Sequence, residues 1–194
     1  MNTLSLAYFK RDVNPYKMET LDQLGLSMKN SCSYEGTKPI ELKHWLKYLP
    51  NDNYTAIDFG SGKGLAVKVL IENKLINKVY GVEISKKLSE QSEVFLSEYI
   101  KDSHVDIINS DALNIEQGIV DQSDLFYFYN PFPDVVFSRV VDKIMASKKE
   151  NNRDIVIIYF NPIYHELIKN RFEISKVIVF NNLFSKSKTN LYII

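Results

Sequence analysis

"AIDFGSGKGLAV", residues 56–67, decides how the chain is read. An apolar run carries one acid, Asp58, then meets Gly60, Gly62 and Gly64 at alternate positions and turns apolar again. The pattern is that of a strand, a tight turn and the start of a helix. The glycines stand where the backbone must turn sharply or come close to a ligand. In open α/β sheets, ligands sit beyond the carboxyl ends of the strands, where such turns lie. What matters is which ligand tolerates a carboxylate there.

Working outward from the loop, short β-like runs alternate with helical stretches. Strands are expected over 54–59, 78–83, 104–109, 124–129, 154–160, 173–180 and 188–194. In 85–101, Leu88, Phe95, Leu96, Tyr99 and Ile100 recur at helical spacing. In 134–148, Val136, Phe137, Val140, Val141, Ile144 and Met145 do the same, with Pro133 and Asp134 suited to the first turn. Alternation of this kind implies right-handed crossovers and a parallel sheet. The tail differs: "FEISKVIVF" and "KTNLYII" are separated only by "NNLFSKS", too short for a crossover helix, so these strands pair antiparallel. The expected fold is α/β: a doubly wound, mostly parallel seven-stranded sheet with a C-terminal antiparallel hairpin and helices on both faces. Helices around 16–25 and 38–49 are expected to make residues 1–50 a helical cap over the active site. Residues 51–194 form the ligand-binding domain, in one structural unit with the cap.

The chain has 194 residues, enough for one domain with a sizeable core. Hydrophobic residues make up 45% and charged residues 25%, an ordinary globular profile. The formal net charge is zero, which argues against a dedicated nucleic-acid binder, whose affinity comes largely from Lys and Arg on phosphates. Cys32 is the only cysteine, so the sequence holds no disulfide framework or Cys-based metal cluster. The first residues lack the apolar core of a signal peptide, and the runs "LFYFY" and "IVIIYF" are too short to span a bilayer. A cytoplasmic location without membrane contact is the expectation.

Three ligands compete for the loop. A phosphate-gripping loop needs G-x-x-x-x-G-K-[ST]. Gly62 and Lys63 supply the "GK", but Gly64 replaces the hydroxyl, and Ile57 stands where the first glycine belongs. A dinucleotide loop needs G-x-G-x-x-G, and here the third glycine falls one residue early. Asp58 discriminates further, because a carboxylate beside the loop repels a pyrophosphate and attracts a cation. S-adenosylmethionine carries a sulfonium and an ammonium and no phosphate. "DFGSGKG" resembles the first motif of the class I (seven-stranded, Rossmann-like) S-adenosylmethionine-dependent methyltransferases, a family that also ends in an antiparallel hairpin.

The resemblance covers about residues 34–194 and implies a cofactor site. Asp58, Gly60, Ser61, Gly62 and Gly64 form its loop, with Asp58 toward the ammonium. Glu83 ends the next strand, about 20 residues beyond the loop, the distance at which an acid reaches ribose hydroxyls. Ile84 is expected against the adenine. Asp111 and the backbone of Ala112 match the position that hydrogen-bonds adenine, although Asp is also a common helix N-cap. "SYEGTKPIEL" resembles the cofactor-covering loop of non-SET lysine methyltransferases with its order changed; Tyr34 and Thr37 are expected over the methionine end, or Thr37 caps the following helix.

"NPFP", 130–133, follows the fourth strand and resembles the motif of methyltransferases acting on planar nitrogens. Asn130 and the Pro131 carbonyl are the expected catalytic groups, holding the acceptor; Phe132 stands where the motif has its second proline. A second Asn-Pro places Asn161, Tyr164 and His165 near the same pocket. His44 and His104 read as structural, and no metal site is expected. The expected function is transfer of a methyl group from S-adenosylmethionine to N or O of a small molecule or protein side chain. The alternative is a non-catalytic Rossmann-like nucleotide-binding module or an NAD-dependent oxidoreductase. The oligomeric state is not legible.

Overall fold

The computed structural model describes residues 14–25, 35–129, 132–181 and 188–194. Seven strands form one sheet: β1 Tyr54–Phe59, β2 Ile76–Glu83, β3 Val105–Asn109, β4 Leu125–Tyr129, β5 Val156–Phe160, β6 Lys176–Asn181 and β7 Lys188–Ile193. Their order is β3-β2-β1-β4-β5-β7-β6. The first five pair in parallel, and β7 runs antiparallel between β5 and β6. The sequence pattern thus gives the correct sheet, including the terminal hairpin. Strand order reverses between β1 and β4, which puts the switch point at the end of the glycine-loop strand.

Alternation along the strands divides the core in two. Ile57, Phe59, Phe126, Phe128, Ile157 and Tyr159 face one side, against Phe137, Val140, Val141 and Ile144 of α7 (Asp134–Glu150). Ala56, Leu125, Tyr127, Val156 and Ile158 face the other. That side is covered by α2 (Pro39–Trp45) through Leu42 and Trp45, and by α3 (Leu65–Ile71) through Ala66, Val67, Val69 and Leu70. The central strands β4 and β5 are buried on both faces, which is why they read as unbroken apolar runs.

Apart from α7, which runs through the 134–148 pattern and beyond it to Glu150, the helices are shorter than the periodicity suggests. The 85–101 stretch is two helices, α4 (Lys86–Phe95) and α5 (Ser97–Lys101), separated at Leu96, whose φ of −102° and ψ of 12° leave the helical region. Leu96 is fully buried, so packing wins over helical continuity. The 16–25 stretch holds only α1 (Leu21–Leu24), closed by a Thr20–Gln23 capping box and by Gly25 at a φ of 66°. Residues 38–49 are α2 followed by a 3-10 turn, Leu46–Tyr48. Short helices missed by the sequence pattern are α6 (Gln117–Asp121), α8 (His165–Lys169) and the 3-10 turn Ala112–Asn114. Among the described residues no helix is long and apolar enough to cross a membrane.

At the end of the sheet away from the glycine loop, Arg153 gathers the chain. Its guanidinium donates to the carbonyls of Val120, Ser123, Ser147 and Asn151 and to the Ser147 hydroxyl. Replacing it strands carbonyls that the fold has partly buried. Arg153→Ala is expected to lower unfolding free energy by about 2–3 kcal/mol in urea titrations, with ligand binding at the opposite end unchanged.

Candidate cofactor site

The turn after β1 is built by left-handed glycines. Gly60, Gly62 and Gly64 take φ values of 78°, 54° and 82°, which a side chain would resist. Gly64 has a second constraint. A Cβ there would lie 2.4 Å from Ser92 Oγ and 2.6 Å from Leu96 Cδ1, so its bare Cα lets α3 start against α4. Gly81 of β2 plays a similar part, since a Cβ on it would press on Ile107 and on Ser61 Oγ.

The loop's amide groups are already engaged within the chain. Gly60 N and Ser61 N donate to the Val82 carbonyl at 2.9 and 3.0 Å, and Gly64 N donates to the Ser61 carbonyl. Gly62 N donates to Glu83 Oε2 at 2.8 Å, while Glu83 Oε1 accepts from Ser85 N at 2.7 Å. Glu83 is therefore an inward-turned, buried acid tying the glycine loop to the end of β2, not a solvated strand end. Four N–H groups used this way are not free to cradle a phosphate, which argues against a phosphate-gripping loop at this turn.

Asp58 is 2% exposed, and among the described residues its Oδ2 has no hydrogen-bond partner; the same holds for the buried Ser61 Oγ. In the β1–β4 register Asp58 lies opposite Tyr127. The Tyr127 hydroxyl is 2.9 Å from Thr37 Oγ1 and also buried. Burial pushes the Asp58 carboxyl well above the usual carboxylate range, and the charge of Glu83 adds to the push. Burial raises Glu83 as well, opposed by the N–H groups of Ser85, Gly62 and Ile84. Tyr127 is raised by burial first and by Asp58 second. Two acids and a tyrosine thus share one weakly solvated corner at the ends of β1, β2 and β4.

The other expected residues fall as follows. Ile84 is half-buried directly after Glu83. Asp111 caps the 3-10 turn, accepting from Leu113 N at 2.9 Å, and Ala112 is buried beneath it. Thr37 caps no helix: the N-cap of α2 is Lys38, without a side-chain bond, and Thr37 goes to Tyr127 instead. Tyr34, Asn130 and Pro131 lie outside the described residues. Phe132 is core, with its ring edge-on to Phe128 at 6.4 Å. Asn161 has a left-handed φ of 50° at the exposed end of β5, and Tyr164 leans on Phe137. His44 packs among Trp45, Tyr48 and Phe180, and the His104 ring bonds to the Asn77 carbonyl. Among the described residues no group of His, Cys, Asp and Glu is placed to hold a metal ion.

Lys63 was not legible as a site residue except as half of "GK". It turns away from the loop's mouth, is 2% exposed, and bonds to Glu19. Tyr129 was missed as well. It ends β4 half-buried against Phe160, and burial together with a hydrogen bond to Glu35 raises its hydroxyl strongly.

No protein-family model matches the sequence, and no curated protein matches it. Solved structures do match. A magnesium protoporphyrin IX methyltransferase from Synechocystis PCC 6803 with bound SAM is 15% identical with a TM-score of 0.57, over 80% of this chain and 77% of that one. An rRNA methylase from Streptococcus thermophilus is 13% identical with a TM-score of 0.58, over 81% and 96%. A tRNA methyltransferase from B. subtilis is 16% identical with a TM-score of 0.59, over 86% and 67%. The chain has the fold of the class I, Rossmann-like S-adenosylmethionine-dependent methyltransferases.

The buried acid has a measurable signature in the ligand-free protein. A carboxyl whose folded pKa is raised contributes stability that is fully present below its unfolded pKa. That stability is lost as pH rises through the folded value. Asp58→Asn keeps the shape and removes the titration. The variant is expected to melt higher than the parent at pH 8, by about 2–4 °C per kcal/mol of relief. The difference should close as pH falls toward the unfolded carboxylate range. Thermal melts across pH give the result, and parallel curves would place Asp58 in an ordinary environment.

Proposed function

We propose that the protein is an S-adenosylmethionine-dependent methyltransferase and that the corner around Asp58 holds the donor. The observation that carries the reading is the Asp58 carboxylate: buried, with Oδ2 unpartnered, at the switch point of the sheet. A group so placed is stable in its charged form only opposite a cation. The donor's ammonium is such a cation, and the donor carries no phosphate that would need the loop's occupied amides. The fold likeness supports the same reading.

In this reading Glu83 receives the ribose hydroxyls, Ile84 packs on adenine, and Asp111 with the Ala112 backbone hydrogen-bonds the base. Gly60, Ser61, Gly62 and Gly64 let the backbone pass close by. Tyr34 and Thr37 close the methionine end, and residues 1–50 cap the site. Bound there, S-adenosylmethionine supplies an electrophilic methyl on a cationic sulfur. Asp58 serves the ammonium and not the sulfur, because an acid on the sulfonium would favour the ground state over the transition state. Asn130 and the Pro131 carbonyl align the acceptor, and alignment is the larger share of catalysis in such a displacement.

The acceptor is an N or O nucleophile on a small molecule or a protein side chain. A nucleic-acid acceptor is the second reading. It is favoured by the likeness to the rRNA and tRNA enzymes, and net neutrality weighs less against it than the composition suggests. Donor tritiated on the methyl, incubated with separated RNA, protein and small-molecule fractions, distinguishes these acceptors.

The donor site is tested by calorimetry with S-adenosylmethionine and S-adenosylhomocysteine, which both carry the ammonium. Asp58→Ala is expected to weaken both by about 30- to 160-fold, the roughly 2–3 kcal/mol typical of a charge-assisted contact. Glu83→Gln should weaken them less. Binding of NADH with no response to either compound would overturn the reading in favour of the oxidoreductase.

A further inference from the structure

The segment 14–25 lies against the glycine loop with almost no apolar anchor. Tyr16 and Met18 are 63% exposed, and α1 buries none of its residues. Glu19 is the only buried residue in the stretch. A carboxylate does not go into a protein interior unless it is paired. Glu19 Oε1 meets Lys63 Nζ at 2.8 Å, and Glu19 Oε2 accepts from Lys87 Nζ. Lys63 Nζ also donates to the carbonyls of Asn14 at 3.2 Å and Lys17 at 2.9 Å.

The two lysines belong to two different parts of the candidate donor site. Lys63 sits between Gly62 and Gly64 in the glycine loop. Lys87 is in the first turn of α4, four residues past Glu83. One carboxylate therefore spans the loop after β1 and the loop after β2, the same two loops that the Glu83–Gly62 bond joins from the inside. A cleft of about 310 Å³ lined by Lys17, Glu19, Gln23, Lys87 and Gln91 opens between the segment and α4 beside the Glu19–Lys87 pair, and Glu19 is also held through its backbone in a β-bridge.

We propose that Glu19 is a positioning residue for donor binding: through Lys63 and Lys87 it clips the glycine loop to the ribose-side loop and straps residues 14–25 across both. The proposal rests on the donor reading above and adds to it a residue that touches no ligand. Its consequence is that donor affinity and closure of the strap are coupled. Ligand in the site favours the closed clip, and loss of the clip costs affinity without altering the chemical step.

The test uses the full chain and S-adenosylhomocysteine as the probe. Glu19→Gln keeps the shape and removes the charge. It is expected to weaken binding about tenfold, and Lys63→Met is expected to do the same. The double variant should bind no worse than either single one, because the pair acts as a unit. Glu19→Asp should recover part of the affinity. In the methylation assay the donor KM should rise with kcat unchanged, a split that general destabilisation does not give. Tryptic cleavage after Lys17 should be slowed by the probe in the parent and not in Glu19→Gln. Should Lys63→Met fail to fold, Glu19→Gln and Lys87→Met carry the same comparison. Parent-like affinity in Glu19→Gln, or losses that multiply in the double variant, overturns the clip and leaves the donor reading standing. A parent that does not bind the probe, although Lys17 is protected in it and cleaved in Glu19→Gln, overturns the donor reading and with it the coupling to Glu19.

Discussion

One constraint organises this end of the molecule: a carboxylate is buried at the end of β1 with an oxygen that no group among the described residues satisfies. Such a burial costs stability and persists only where the surrounding structure is over-determined. The over-determination is visible. Tyr127 is fixed opposite Asp58 by the strand register and held by Thr37. Three left-handed glycines set the turn, and Glu83 anchors it by taking the Gly62 amide. The two large aromatic layers on either face of β1 and β4 leave the strand ends little freedom to move.

The sheet was legible because its strands announce themselves. "LFYFY" and "IVIIYF" can only be strands buried on both faces, and a seven-residue link cannot carry a crossover. The helical ends were less legible because local periodicity does not report packing. Leu88 to Ile100 keep one helical stripe through Leu96, yet the chain breaks there to bury that leucine under Gly64. Around the candidate site, the places of Asp58 and Glu83 at the ends of β1 and β2 were legible from the strand and loop pattern. Their electrostatic state was not. Burial and the unpartnered oxygen follow from where Tyr127, Thr37 and α2 pack, and those residues lie 13 to 69 positions away in sequence.

Thr37 shows how a residue with a sound local reading can be claimed by a distant one. A threonine just before a helix is a good cap, and the sequence offers it as such. The structure gives that position to Lys38 and sends the Thr37 hydroxyl to a tyrosine 90 residues on. Asp111 goes the other way: it does cap, accepting from Leu113 N through one oxygen.

Lys63 carries the last step. It stands five residues from Asp58, within the same turn, and is the cation nearest to it in sequence. Had it folded back onto Asp58, the pair would have been satisfied internally, and any ligand cation would have had to displace a tethered ammonium. Instead the chain surrounds Lys63 with Glu19 and two carbonyls, which together outbid a single distant carboxylate. For Glu19 itself, burial pushes the carboxyl up, while its bonds and charges with Lys63 and Lys87 pull it down and prevail. The diverted lysine and the unsatisfied aspartate are thus two sides of one arrangement. The turn keeps its positive charge on the outer side, under the strap, and its negative charge on the inner side. That separation is what the proposed cationic donor would require of a loop containing "GK".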